Sequence, residues 1–278
     1  MATPTNDLYS CATGGVIRAG RYLDPIITGD QRITIWGQSN AWGIGALSEI
    51  SAAPLSADAG LAVFRDSTFD RVWIRQTDGS YIKLTPNSLD PWLAYTGCIG
   101  PEFGLAVRWM RETSSGNLYI DKLAISGSDI YGFRIDSSAY ISDGKDGRRW
   151  QSNNWMAARG ITVTDAGWIW VQGESDSYQT QAYYQSALQV IINQRTTDGL
   201  QTAATKRILW QMTPGSSNYA QTIFDAKVAI AAASPSNTSA PIMPNYFNPD
   251  NLHINARGQL QLAYDSFSTI FGFPTKTA

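Results

Sequence analysis

An α/β fold is predicted, with a mostly parallel sheet covered by helices on both faces. Three observations carry it. From residue 101 onward, β-rich segments alternate with helix-patterned ones, the order expected of strands joined by helical crossovers. Trp168–Val171 is short and wholly apolar, as a strand buried on both faces should be. The chain has 278 residues, 43% hydrophobic and 16% charged, long enough for a sizeable core and too poor in charge for charge-driven disorder.

Each element has its own signal. Residues 1–30 are polar and glycine-rich and are expected to form an irregular N-terminal arm, with a single domain over 31–278. Arg32–Trp36 is β-rich and meets a turn at Gly37. Within about 60–86, Leu61–Phe64, Arg71–Arg75 and Tyr81–Leu84 are β-rich, and Asp78-Gly79 is a turn signal. Together they predict a small β-hairpin insertion. Pro101–Arg111 suits a helix opened by proline, Leu118–Ile125 a strand and Arg148–Arg159 a helix. Gln181–Gln194 places Tyr184, Leu188, Ile191 and Ile192 at helical spacing. Arg207–Met212 is a further strand and Ala220–Ala233 a further helix. Ala256–Phe271, with Leu260, Leu262, Ala263 and Phe267 on one broad face, closes the fold.

Composition excludes several functions. Twenty-one Lys+Arg against 23 Asp+Glu give a net charge of −2, without the basic footprint of a nucleic-acid binder. No apolar run approaches a membrane span; the longest, Val228–Ala233, reads as part of a helix. Two cysteines, Cys11 and Cys98, and one histidine cannot build a Cys₄, Cys₃His or Cys₂His₂ zinc site within one chain. Two unpaired thiols are expected rather than a Cys11–Cys98 bridge. Asp143–Gly147 lacks the full calcium-loop pattern and reads as a turn. Carboxylate sites for calcium or magnesium stay open on composition alone. Ten Trp and 13 Tyr are expected mostly in the core, with some weight toward a sugar substrate.

The sole histidine, His253, follows Asp250 by three residues. At that spacing a carboxylate can accept from the imidazole Nδ1, fixing the tautomer and leaving Nε2 free as a base. Ser39 follows Gly37 at the end of a predicted strand, where a tight turn lifts its hydroxyl above the sheet edge and aims backbone N–H groups at the same spot. Gly127 and Gln172 stand just past two other strands. Their backbone N–H and side-chain amide, with the Ser39 N–H, would form an oxyanion hole. Each of these residues alone also fits a structural part: Ser39 a helix cap, Gly127 a turn glycine, Gln172 a buried amide.

Together the segments Gly37-Gln-Ser-Asn40, Ser126-Gly-Ser-Asp129, Trp170-Val-Gln-Gly-Glu174 and Asp250-Asn-Leu-His253 resemble the SGNH-hydrolase superfamily. Within it they are most similar to the sialate O-acetylesterase and acetylxylan-esterase branch, carbohydrate esterase family six. Gly100-Pro-Glu-Phe-Gly104 is similar to a helix-opening segment of that branch and is given no catalytic role. The resemblance spans roughly 31–271. It implies a flavodoxin-like three-layer α/β/α sandwich and hydrolysis of a sugar acetyl ester without a cofactor. Ser39 is then the nucleophile, His253 the base and Asp250 its partner, with Glu174 a second carboxylate that would support His253 instead of, or beside, Asp250. Trp42, Asp129 and Tyr131 flank the site as candidate substrate contacts. Ser126, Ser128, Ala41 and Val171 depart from the residues common in the branch, and none removes a catalytic atom.

The expected partner is an O-acetylated glycan or polysaccharide, with no nucleic acid and no membrane. Two other functions fit the same residues: a non-catalytic glycan-binding domain on an esterase scaffold, and an esterase for lipid or aryl esters. The N-terminus carries no basic stretch followed by an apolar one. Localisation stays open, and extracellular or virion-associated action on a glycan is compatible with the sequence. Asn237-Thr-Ser239 is a glycosylation sequon.

Overall fold

The computed structural model describes residues 27–275, except 53–54, 56–58, 66–67, 87–96, 135, 139, 141–146, 213 and 242–245, together with the backbone of 8–10, 16–18 and 21–22. Those three short N-terminal segments pair as antiparallel strands within the arm expected to be irregular. Cys11 and most of the Asp143–Gly147 turn lie outside the described residues. Cys98 is a free, half-buried thiol.

A seven-stranded sheet forms the centre. Its strands are β1 (Asp30–Gly37), β2 (Val72–Arg75), β3 (Tyr81–Lys83), β4 (Leu118–Ala124), β5 (Val163–Val171), β6 (Lys206–Gln211) and β7 (Asn237–Pro241). They lie in the order β7-β6-β5-β1-β4-β2-β3. Every pairing is parallel except β2 with β3, an antiparallel edge. Consecutive strands β4 and β5 flank β1 on opposite sides, so the chain changes direction of travel there. In parallel sheets, ligands bind beyond the carboxyl ends of the strands at such a point.

The helices are α1 (Ser39–Trp42), α2 (Ala59–Arg65), α3 (Pro101–Glu112), α4 (Arg148–Ala157), α5 (Gln181–Thr197), α6 (Gln221–Ala232) and α7 (Ala256–Phe271). Strand side chains alternate between the two faces. Ile33, Ile35, Ile169, Val171 and Ile208 join α3 and α7 in one core. Trp36, Trp168, Trp170 and Leu209 join α5 and α6 in the other. Both faces are therefore covered, and the architecture is the three-layer α/β/α sandwich. Trp36, Trp109, Trp168 and Trp170 are fully buried, so these tryptophans are core residues.

One expectation needs correction. Leu61–Phe64 is helical, within α2, rather than a β-rich piece: Leu61 is buried and Phe64 stacks on Phe69, 5.3 Å between centroids. The expected hairpin is present as β2 and β3, and β2 also pairs with β4, so the hairpin extends the central sheet. Asn237-Thr-Ser239 begins β7, with the Asn237 amide donating to Ile230 O at 2.8 Å and its oxygen accepting from Arg207 Nε. That asparagine is engaged within the fold.

Candidate functional site

β1 ends at Gly37, where backbone packs on backbone. A Cβ at Gly37 would lie 1.9 Å from Val171 O of β5, so only glycine fits. Gln38 N donates to Val171 O at 3.0 Å, and α1 begins directly at Ser39. As the first residue of a helix, Ser39 has a backbone N–H without an intrahelical acceptor. Its side chain is buried beside Asn40 and Ala41. Lys122, on β4, donates to Trp42 O at the end of α1 and pairs with Glu102 at 2.6 Å. Glu102 lies in the first turn of α3 and also accepts from Gly100 N, so the Gly100–Gly104 segment is a helix start that braces α1.

His253 is held by its own turn and by Asn40. Asp250 Oδ2 lies 2.6 Å from His253 Nδ1, while Oδ1 accepts from the backbone N–H of Leu252 and of His253, each at 2.9 Å. Asn251, between them, sits at φ 58°, a left-handed conformation asparagine tolerates. Burial alone would raise the Asp250 carboxyl, but the N–H groups of His253 and Leu252 and the imidazole hold it below the usual carboxylate range.

Asn40, next to Ser39, is fully buried. Its Nδ2 donates to Glu174 Oε1 at 2.6 Å and to Leu252 O at 3.2 Å, and its Oδ1 accepts from Ile254 N at 2.8 Å. Both residues flanking His253 are thus tied to the residue following Ser39. Asn40 O also accepts from Gln259 of α7 at 3.1 Å. The sequence pattern contains Asn40 but gives no sign of this clamp, because its partners lie more than 130 residues away.

Glu174 bonds Asn40, and Gln38 donates to its other oxygen at 3.3 Å once the Gln38 amide is oriented to match its neighbours. It acts on the serine turn, and Asp250 is the carboxylate bonded to His253.

Gly127 occupies an exposed turn closed by Ser128 N donating to Ile125 O at 3.1 Å. At φ 68° with open space around its Cβ position, it presents backbone without a side chain in the way. Gln172 behaves differently from expectation. Its amide nitrogen donates to Ser128 O at 3.2 Å and to Asp176 Oδ2, and its oxygen accepts from Tyr184 OH at 2.7 Å. An amide has two N–H donors, and both are engaged. Gln172 braces the Gly127 loop rather than offering a free donor.

Below this brace lies a buried charge group that composition does not reveal. Asp176 is wholly buried and also accepts from Ile130 N at 3.0 Å. Burial pushes its carboxyl up to about 6, against the pull of the Gln172 and Ile130 hydrogen bonds. Lys227 of α6 donates to Gln172 O and Trp210 O, at the ends of β5 and β6. Burial lowers it to about 8, against the attraction of Glu174 and Asp176. The only sequence signal for it was a lysine among Ile223, Ala226 and Ile230 on the buried face of a helix.

Of the candidate substrate contacts, Trp42 is half-buried at the end of α1, and Asp129 and Tyr131 follow the Gly127 turn. Asp129 caps the helical turn Ile130–Phe133, accepting from Gly132 N at 3.4 Å. Among the described residues no group of three His, Cys, Asp or Glu side chains is arranged to hold a metal ion. None of their helices is long and apolar enough to cross a membrane.

Solved structures share this fold at low identity. A protein of Arabidopsis thaliana is 18% identical with a TM-score of 0.64, over 87% of this chain and 99% of that one. A carbohydrate acetylesterase from Xanthomonas citri is 17% identical with a TM-score of 0.56, over 93% of this chain and 60% of that one. NanS is 13% identical with a TM-score of 0.54, over 89% and 99%. No curated protein sequence matches the chain. The model of the family described as carbohydrate esterase, sialic acid-specific acetylesterase matches residues 31–269, and this chain belongs to that family.

Proposed function

We propose that the protein is a serine esterase that removes O-acetyl groups from a carbohydrate. The observation that carries the reading is the Asn40 clamp, which ties the backbone on both sides of the Asp250-bonded His253 to the residue after Ser39. Family membership supports a sugar ester as substrate.

In this reading Ser39 Oγ attacks the acetyl carbonyl as His253 Nε2 takes its proton. Asp250 orients the imidazole and balances its charge. The N–H groups of Ser39 and Gly127 stabilise the oxyanion, and Gln172 holds the Gly127 loop in place. The C–O bond to the sugar breaks, and the leaving alkoxide takes the proton from His253. Water then attacks the acetyl-serine, giving its proton to His253. Acetate departs, and Ser39 recovers its proton. Trp42, Asp129 and Tyr131 line the approach.

The test is acetate release by wild type and Ser39→Ala from p-nitrophenyl acetate and from a panel of O-acetylated glycans. The expected result is turnover by wild type and a loss of at least ~10³-fold in the variant. No turnover on any ester, or equal activity of the variant, overturns the proposal.

A further inference from the structure

Of the three exposed aromatic rings among the described residues, Tyr131, Trp150 and Tyr178, two stand on the loops that leave β4 and β5. These are the loops that carry Gly127 and Gln172. Tyr178 is 69% exposed, yet its hydroxyl is anchored: it donates to Asp129 Oδ2 at 3.4 Å, across to the other loop. Tyr131 is buttressed by Tyr183 of α5, at 5.5 Å between ring centroids, and by the Arg134 guanidinium at 5.7 Å. The base of the patch is fixed to the site, since Gln172 and Asp176 bond Ser128 and Ile130 on either side of Asp129.

An exposed ring held at its hydroxyl loses little freedom on meeting a ligand. Among the described residues the Asp129 carboxylate accepts two bonds, both at 3.4 Å, and it keeps lone pairs for further donors. A flat amphipathic face beside a carboxylate with spare acceptor capacity matches a pyranose ring, which has an apolar C–H face and an edge of hydroxyl donors.

Resting on the esterase reading of the neighbouring site, we propose that Tyr178 and Asp129, backed by Tyr131, form a sugar subsite. It holds a pyranose of the acetylated glycan by stacking on Tyr178 and by hydroxyl donation to Asp129. Its contribution is to glycan affinity and not to ester chemistry.

Two measurements on Tyr178→Ala, Tyr178→Phe and Asp129→Asn test it. The first is the ratio of kcat/KM on acetylated xylo-oligosaccharide or O-acetylated sialyllactose to kcat/KM on p-nitrophenyl acetate. The second is calorimetric affinity for xylohexaose and sialyllactose, which needs no turnover. Tyr178→Ala is expected to lower the ratio and the affinity at least ten-fold for one of these glycans. Tyr178→Phe, which keeps the ring but loses its hydroxyl anchor, should recover part of the loss. Affinities within two-fold of wild type for both glycans, or wild type binding neither, overturn the subsite. Absence of turnover with intact, Tyr178-dependent affinity overturns the esterase reading and leaves the subsite standing.

Discussion

Asp121 and Asp250 are both aspartates with a basic partner, but Asp121 has a side chain 0% exposed and Asp250 one 47% exposed. Asp121, on β4, meets Arg149 at 2.7 Å, Arg75 at 3.4 Å and the Tyr81 hydroxyl. Arg149 continues to Asp165, which Arg32 grips at 2.7 and 2.9 Å. Five strands and α4 are laced together by this network. Burial alone would raise the Asp121 carboxyl, but Arg75, Arg149 and Arg32 hold it far below its ordinary value. Asp250 has one imidazole and two backbone donors, all within its own turn. A charge taken fully out of water must be surrounded by partners, which locks its protonation and its geometry. A pair left partly in water stays within reach of a reactant. The first arrangement suits a frame, the second a reaction.

The largest test of this contrast is His253→Ala. Catalytic rate should fall by about 10³-fold or more, while the thermal midpoint, as for other partly exposed positions, moves by no more than about 2 °C. A large fall in the midpoint would mean that the pair is also structural. Asp121→Ala should do the reverse. Removing one member of a buried ionic network costs about 3–5 kcal/mol, a fall on the order of 10 °C in a domain of this size. Activity per folded molecule, followed below the new midpoint, should change only a few-fold.

Asn40→Ala lies between the two, since its buried side chain serves the site. Its partners lose their bonds, at about 1–3 kcal/mol. Loosening the His253 loop against Ser39 should cut kcat by about 10–100-fold with little change in KM. Equal kcat with a lower midpoint would make the clamp purely structural.

The smallest effect separates two buried aspartates by the sign of their pH dependence. Asp121 is depressed, so its stabilisation is present above the unfolded carboxyl value and lost as pH falls toward its folded one. Asp176 is raised to about 6, so the folded state binds its proton more tightly than the unfolded state. Its contribution is therefore present below the unfolded value of about 4 and lost as pH rises from there through about 6, with an upper limit of about 3 kcal/mol. Denaturant midpoints at pH 4.5 and 7.5 check this. Asp176→Asn should gain stability relative to wild type on going to the higher pH, and a parallel shift of both proteins would refute it.

Much of this was legible in the chain. Helix α7 spans the residues its apolar spacing predicts, and the strand ends at Gly37, Ala124 and Val171 precede the expected turns. The misreadings have a common cause. Leu61–Phe64 has β-rich composition, but the packing of Leu61 and Phe64 made it helical. β7 carries no strand signal, since Asn237-Thr-Ser-Ala-Pro241 is weakly apolar and gains its strand from pairing with β6. Gln172 stands at a strand end, a position that suggests a free donor, but Ser128, Asp176 and Tyr184 lie within reach and take up its amide.

The sequence by itself determined the alternation of strands and helices and placed Asp250 within one turn of chain from His253. Both are local: hydrophobic periodicity sets an element, and three residues of chain set the reach of a carboxylate to an imidazole. Only the tertiary structure decided which carboxylate serves which partner, that Glu174 holds Asn40 while Asp250 holds His253, and that Lys227 ends beneath Gln172. Those contacts join residues far apart in the chain, and burial in a close-packed interior selects them by leaving each polar group with only the partners within reach.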